Sequence, residues 1–321
     1  MRKMPSASSL VVVIGTGGTI AGVVAGTSAR PGAHLGYQAG ALAAQALVDA
    51  VPALAGRPLQ THSLAQLDSC DMDHATWLAL AQAVTAQLAR PEVAGVVVTH
   101  GTDTLEETAT FLHRTVAASK PVVLTAAMRP ATAPSPDGPQ NLLDAVTMAA
   151  TPGARGVLLA FGGAVYAGAE ARKVHGYRVD AFSGGDAGAL ALWQDGRLRL
   201  LREWPAVDGG AAAALAVPVA EWPLVDIVTS HAGARGAALQ ALVAAGARGI
   251  VIAGTGNGSV HRELLAAARA AQAQGVQVWR ASRCVDGGVV DSGSPDALVN
   301  AGDATPAQAR VRLMLALATG A

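Results

Sequence analysis

Residues Leu10-Val-Val-Val-Ile-Gly-Thr-Gly-Gly-Thr19 decide the fold. Five apolar residues, four of them β-branched, run straight into a turn of glycine and threonine. An apolar run this short and unbroken, bounded by turn residues, reads as a parallel strand covered on both faces. The pattern recurs at Val93–Thr99, which leads through His100-Gly-Thr-Asp103 into a helical stretch from Leu105 to Val116. Between these strands lie helical stretches over 39–51, stopping at Pro52, and over 73–89, where Asp71 or Asp73 can serve as cap. Strands over 121–125 and 156–160 flank a loop with four prolines and a helix from Gln140 to Ala149. Strands alternating with helices predict βαβ units and a mostly parallel sheet.

Near residue 188 the pattern changes. Leu190–Leu200 reads as a hairpin with Asp195-Gly196 in its tight turn. Residues 205–223 shift to Ala, Gly and Pro, the composition of a linker. Alternation then resumes with strands over 224–229, 249–253 and 276–280 and helices over 235–245 and 260–273. A last helix starts at Thr305-Pro-Ala-Gln308, a cap, a first-turn proline and a capping-box glutamine. The expected organisation is α/β throughout: a larger N-terminal, mostly parallel-sheet domain over 1–204, a linker over 205–223 and a smaller C-terminal α/β domain over 224–321. A length of 321 residues suits two domains.

Composition narrows the function classes. Apolar residues at 51% and charged residues at 14% exclude a disordered chain. Lys+Arg and Asp+Glu balance at 23 each, so no global field favours nucleic acid or an anionic membrane. Aromatics at 3% argue against stacking platforms for single-stranded nucleic acid. Cys70 and Cys284 stand alone, which predicts neither a disulfide framework nor a thiolate metal site. Met1-Arg-Lys3 imitates the start of a signal peptide, but Leu10–Ile14 is too short for its apolar core, and no run approaches a span of about 20 residues. The expectation is a soluble cytoplasmic protein acting on a small molecule, without nucleic acid or membrane.

Two segments carry chemistry. Gly15-Thr-Gly-Gly-Thr-Ile-Ala-Gly22 fails the dinucleotide fingerprint, because Ile20 stands where a third glycine belongs and no acidic residue lies about 20 positions on. It also lacks the Gly-Lys-Ser/Thr of a Walker loop. What remains is two hydroxyls at the carboxyl end of a strand, where open α/β sheets bind ligands. Thr99-His-Gly-Thr-Asp-Thr-Leu-Glu-Glu-Thr108 repeats the Gly-Thr turn before a helix, with Asp103 and Glu106 spaced as a capping box. Thr19 and Thr102, each following a glycine at a strand end, suit nucleophilic attack on a carbonyl, provided that a base activates the hydroxyl. No Gly-x-Ser-x-Gly elbow and no His-Glu-x-x-His is present. Only three lysines occur against 20 arginines, and Lys173 is a candidate base because lysine can lose a proton and arginine cannot. Tyr37, in a polar connection rich in Gly and Pro, is a further candidate.

These two segments resemble the signature segments of the bacterial-type L-asparaginases. The resemblance continues through Asp68-Ser-Cys-Asp-Met72, Ala127-Met-Arg-Pro130, Asp137-Gly-Pro139, Gly254-Thr-Gly-Asn-Gly258 and Pro306-Ala-Gln-Ala-Arg310. It implies a nucleophile at Thr19 with Tyr37 assisting, a second set of Thr102, Asp103 and Lys173, and substrate binding by Ser69, Cys70, Thr102 and Asp103. It implies an enzyme without metal or organic cofactor, assembled as a homotetramer of intimate dimers, each site completed by a neighbour's C-terminal domain. The matching partner-chain positions are Gly233, where asparagine-selective members place an Asn, and Asp291, an acidic residue in a segment 286–300 that is short for the family. Cys70 replaces a polar residue, often Gln. The implied reaction is hydrolysis of L-asparagine to L-aspartate and ammonia through an acyl-enzyme. The alternatives are a glutaminase-asparaginase of relaxed selectivity and a non-catalytic amino-acid sensor. An amidotransferase subunit normally carries an extra N-terminal domain, and a nucleotide-binding oxidoreductase fails on its fingerprint.

Overall fold

The computed structural model describes residues 10–24, 37–291, 293 and 297–320, in two compact units, Met1–Gly210 and Ala211–Ala321. In the first unit the elements run β1 (Leu10–Gly17), β2 (Val23–Val24), β3 (Tyr37–Gln38), α1 (Ala44–Asp49), β4 (Leu59–Leu67), α2 (His74–Leu88), β5 (Val93–Thr99), α3 (Leu105–Thr115), β6 (Pro121–Thr125), α4 (Gly138–Ala149), β7 (Gly156–Phe161), β8 (Ala164–Ala167), β9 (Arg172–Lys173), β10 (Phe182–Ser183), β11 (Ala191–Gln194) and β12 (Arg197–Leu200). Eight strands form one sheet in the order β12-β11-β8-β7-β6-β5-β1-β4. The pairings from β4 to β7 are parallel, and those from β7 to β12 antiparallel.

The valine runs explain the centre of this sheet. Val11 to Ile14, Val96 to Val98, Val122 to Leu124 and Val157 to Leu159 are buried on both faces. Successive side chains alternate in direction. Val11, Val13, Val97, Val123 and Leu158 pack with Leu47 and Val48 of α1 and Leu142, Val146 and Met148 of α4. α2 packs on β5 and α3 on β7. At about 1.5–3 kcal/mol per buried Val or Leu side chain, this double covering is what fixes the parallel order.

Several expectations need correcting. α1 is six residues, not the thirteen of 39–51: Gly40 turns the chain at φ +66°, and Pro52 opens a separate 3-10 turn. Asp73 caps α2, its carboxylate accepting from Thr76 N at 2.7 Å. Asp103 does not cap α3; Thr104 occupies that position and its side chain makes no cap bond. The sequence pattern predicts neither β4 nor the pair β9–β10, which among the described residues joins no other sheet.

The second unit holds β13 (Val225–Thr229), α5 (Ala237–Ala244), β14 (Gly249–Gly254), α6 (Arg262–Gln272), β15 (Gln277–Ser282), β16 (Val299–Asn300) and α7 (Pro306–Thr319). Its four strands are parallel in the order β13-β14-β15-β16. The start of α7 forms the full capping box between Thr305 and Gln308. Within 205–223, two 3-10 turns, Ala212–Ala216 and Val219–Glu221, form, and Ala214 is fully buried.

Candidate active site

The strand order creates a switch point. From β1 the chain moves outward to β4 on one side, then returns to β5 on the other. A crevice opens beyond the carboxyl ends of strands at such a point. The segments following β4, β1 and β5 are Asp68–Asp71, Gly18–Thr19 and His100–Asp103; the last two carry the chemistry read from the sequence, and the first belongs to the resemblance.

The two Gly-Thr turns meet backbone to backbone. Gly18 has φ +79° and ψ −177°, a region open essentially to glycine alone. A Cβ on it would lie 2.4 Å from both the nitrogen and Cα of Gly101. A Cβ on Gly101 would lie 2.4 Å from Ser69 Oγ. Both glycines are therefore required by close packing, and three strand ends are drawn into one cluster. Hydrogen bonds stitch it together. Ser69 Oγ accepts from Asp103 N at 3.2 Å, and Thr104 Oγ1 donates to the Ser69 carbonyl at 2.7 Å. Gly18 N donates to Leu67 O at 2.9 Å. Thr19, Ser69 and Thr102 are all buried.

Lys173 reaches this cluster from β9. Its Nζ donates to Thr102 Oγ1 at 2.8 Å and to Asp103 Oδ1 at 2.5 Å. Its backbone N–H donates to Glu106 Oε2 at 2.8 Å. About seventy residues of chain separate these groups, so only the fold brings them together. The Lys173 side chain is 17% exposed and that of Asp103 55%, which puts the carboxylate on the solvent side of the ion pair.

His100 lies beneath, fully buried. Its Nδ1 is 2.7 Å from the Gly101 carbonyl, which can only accept, so Nδ1 carries the proton. Nε2 is then bare and accepts from Thr108 Oγ1 at 3.0 Å, while Trp77 Nε1 donates to that hydroxyl at 2.8 Å. Burial pushes the imidazole down to about 4, so it is neutral near pH 7. The ring braces the Gly101 turn from below. Its role was not read from the sequence, because nothing local marks His100 as buried or Trp77 and Thr108 as its partners.

The remaining sequence candidates are placed as follows. Cys70 is exposed in the 3-10 turn Ser69–Asp71. Desolvation and then the carboxylates of Asp68, Asp71 and Asp103 raise its thiol, so it is presented as a neutral SH. Tyr37 pairs through its backbone with Val24; its side chain lies outside the described residues. Gly233 and Asp291 belong to the second unit. Gly233, at φ +71°, has open space around its Cβ position among the described residues, and Asp291 Oδ1 accepts from Gly293 N at 3.1 Å.

Known proteins match along nearly the whole chain. The family description "Asparaginase, N-terminal" fits residues 10–206, and "Glutaminase/Asparaginase C-terminal domain" fits residues 224–321. A probable periplasmic L-asparaginase of Haemophilus influenzae is 36% identical over 96% of this chain and 88% of its own. A glutaminase-asparaginase of Pseudomonas fluorescens is 35% identical over 96% and 86%. A crystal structure of a probable cytoplasmic L-asparaginase from Campylobacter jejuni superposes with a TM-score of 0.88 at 37% identity, covering 96% of this chain and 95% of that one. With both family domains matched in order and such identity across both units, the chain belongs to the asparaginase family.

Proposed function

We propose that this protein hydrolyses the side-chain amide of L-asparagine, giving L-aspartate and ammonia, with Thr19 as nucleophile. The observation that carries the reading is the Lys173 ammonium held between the Thr102 hydroxyl and the Asp103 carboxylate, beside a turn in backbone contact with that of Thr19. Thr19 Oγ attacks the amide carbon, its proton passing to the neighbouring hydroxyls, with Tyr37 assisting. Collapse of the tetrahedral intermediate breaks the C–N bond, and ammonia leaves with the transferred proton. An aspartyl ester remains on Thr19. Water, activated through Thr102 and Lys173, cleaves the ester and restores the hydroxyl. For Lys173 to accept a proton it must first lose one, and the exposed face of Asp103 offers a route to solvent. Backbone N–H groups of the two turns are suited to the oxyanion, a contribution often of about 3–4 kcal/mol per donor.

Ser69, Cys70, Thr102 and Asp103 form the proposed cradle for the α-carboxylate and α-amino group. A homotetramer whose neighbouring chain supplies Gly233 and Asp291 completes the proposal, with a cytoplasmic location; the relatives are described as periplasmic in one case and cytoplasmic in another. A second reading, relaxed selectivity toward L-glutamine, is favoured by Cys70, a short thiol at the amino-group end of the cradle, and by the Pseudomonas relative. One methylene is distinguished by only about 1–3 kcal/mol in a pocket. Ammonia release from L-Asn, L-Gln and D-Asn tests the proposal. Turnover of L-Asn above the others supports it, comparable rates for L-Asn and L-Gln favour the second reading, and binding without release of ammonia leaves a sensor.

A further inference from the structure

We propose that Glu106 is a positioning residue for Lys173, acting on its backbone while Asp103 acts on its side chain. The inference rests on the reading of Lys173 given above. Asp103 and Glu106 have the spacing of a local capping pair, yet Thr104 is the N-cap of α3 and both carboxylates reach Lys173. Asp103 Oδ1 meets the Nζ, and Glu106 Oε2 accepts the backbone N–H at 2.8 Å. One five-residue stretch, Thr102–Glu106, thus grips the lysine at both ends.

The grip matters because of where Lys173 sits. β9 is two residues long and, among the described residues, pairs only with the equally short β10, through Phe182↔Lys173 and Ser183↔Arg172. It takes no part in the eight-stranded sheet that fixes Thr19, Ser69 and Thr102. A lysine has four rotatable carbons between backbone and Nζ, so its side chain alone does not fix the ammonium, and a held backbone narrows the positions from which Nζ meets Thr102. The Glu106 bond ties β9 to the start of α3, the helix whose preceding turn bears Thr102 and Asp103. Charge assistance from a carboxylate makes this bond stronger than a neutral one. A displacement of about 1 Å at a reacting group is enough to lower turnover on the order of 100-fold.

Two conservative variants separate this role from simple charge at a helix N-terminus. Glu106→Gln keeps the length and a carbonyl acceptor but loses the charge. Glu106→Asp keeps the charge but falls one methylene short. If Glu106 positions Lys173, the Gln variant retains kcat within about threefold, while the Asp variant loses about 10- to 100-fold in kcat with KM for L-Asn within about twofold. Backbone hydrogen exchange at Lys173 reads the same bond without substrate, slow in wild type and Gln and fast in Asp. An Asp variant with wild-type kcat, or a Gln variant impaired as much as Asp, overturns the proposal. So does slow exchange at Lys173 in the Asp variant. Lys173→Met assayed alongside keeps the two readings distinct. If it stays active, the proposed machinery fails, while the exchange data still decide whether Glu106 holds the backbone.

Discussion

Gly18→Ala probes the junction on which the site depends. The added Cβ would lie 2.4 Å from the Gly101 nitrogen and Cα and 2.6 Å from the His100 carbonyl carbon. All three atoms are backbone, so no side chain can swing aside, and ordinary contact near 3.5 Å requires the two turns to part by about 1 Å. Overpacking of this kind costs about 1–3 kcal/mol, and the glycine-only backbone region adds about 1–3 kcal/mol. Separation by about 1 Å also predicts a loss on the order of 100-fold in turnover. Gly56→Ala is the matched control: φ is +75°, but no atom of the described residues lies within 4 Å of its Cβ position. The assay is ammonia release from L-Asn below the variant's melting transition, with melting curves for both proteins. The expected result is a folded, destabilised and nearly inactive Gly18→Ala beside a mildly destabilised, fully active Gly56→Ala. Wild-type kcat and melting temperature in Gly18→Ala would refute the argument that the two turns must touch.

Asp144 and Lys173 give two further tests. Burial pushes the Asp144 carboxyl up to about 6 against an ordinary 3.8, so the folded state binds the extra proton and stability falls as pH rises from about 4 to 6. Asp144→Asn keeps an acceptor for Gln140, which now donates at 2.8 Å, and should stabilise by up to about 3 kcal/mol at pH 7 and negligibly at pH 4. His100 works in the opposite sense: its depressed value gives stability that is full above pH 6.5 and lost as pH falls toward 4. The Asn variant should therefore show a steeper rise of melting temperature with pH between 4 and 6.5 than wild type; parallel curves would contradict this. Lys173→Met and Lys173→Arg are both expected to lose activity, the latter because arginine keeps the charge but accepts no proton. An active Arg variant would remove the proton-transfer role.

What could be read from the sequence followed physical locality. The central strands announced themselves because burial on both faces demands unbroken runs such as Val11–Ile14 and Val96–Val98. The two Gly-Thr turns were conspicuous because they follow those runs directly. β4 was hidden: it is an edge strand, partly exposed, with Gln60, Thr61, His62 and Ser63 in place of valines. The pair β9–β10 is too short to leave a periodic signal, so Lys173 could be singled out by its chemistry but not by its location. At Asp103 and Glu106 the local pattern pointed to a helix cap, and a lysine some seventy residues away took the carboxylates instead. The hydrogen bonds of the His100 ring depend on burial that only tertiary packing creates.

The central claim is that Thr19 carries the reaction, and turnover of L-asparagine by Thr19→Ala tests it most directly. Removing the hydroxyl deletes the proposed attacking atom and keeps Gly18 and Lys173 in place. Ammonia release is expected to fall by at least about 10³-fold, with native circular dichroism. Near wild-type ammonia release from a natively folded Thr19→Ala protein would contradict the account.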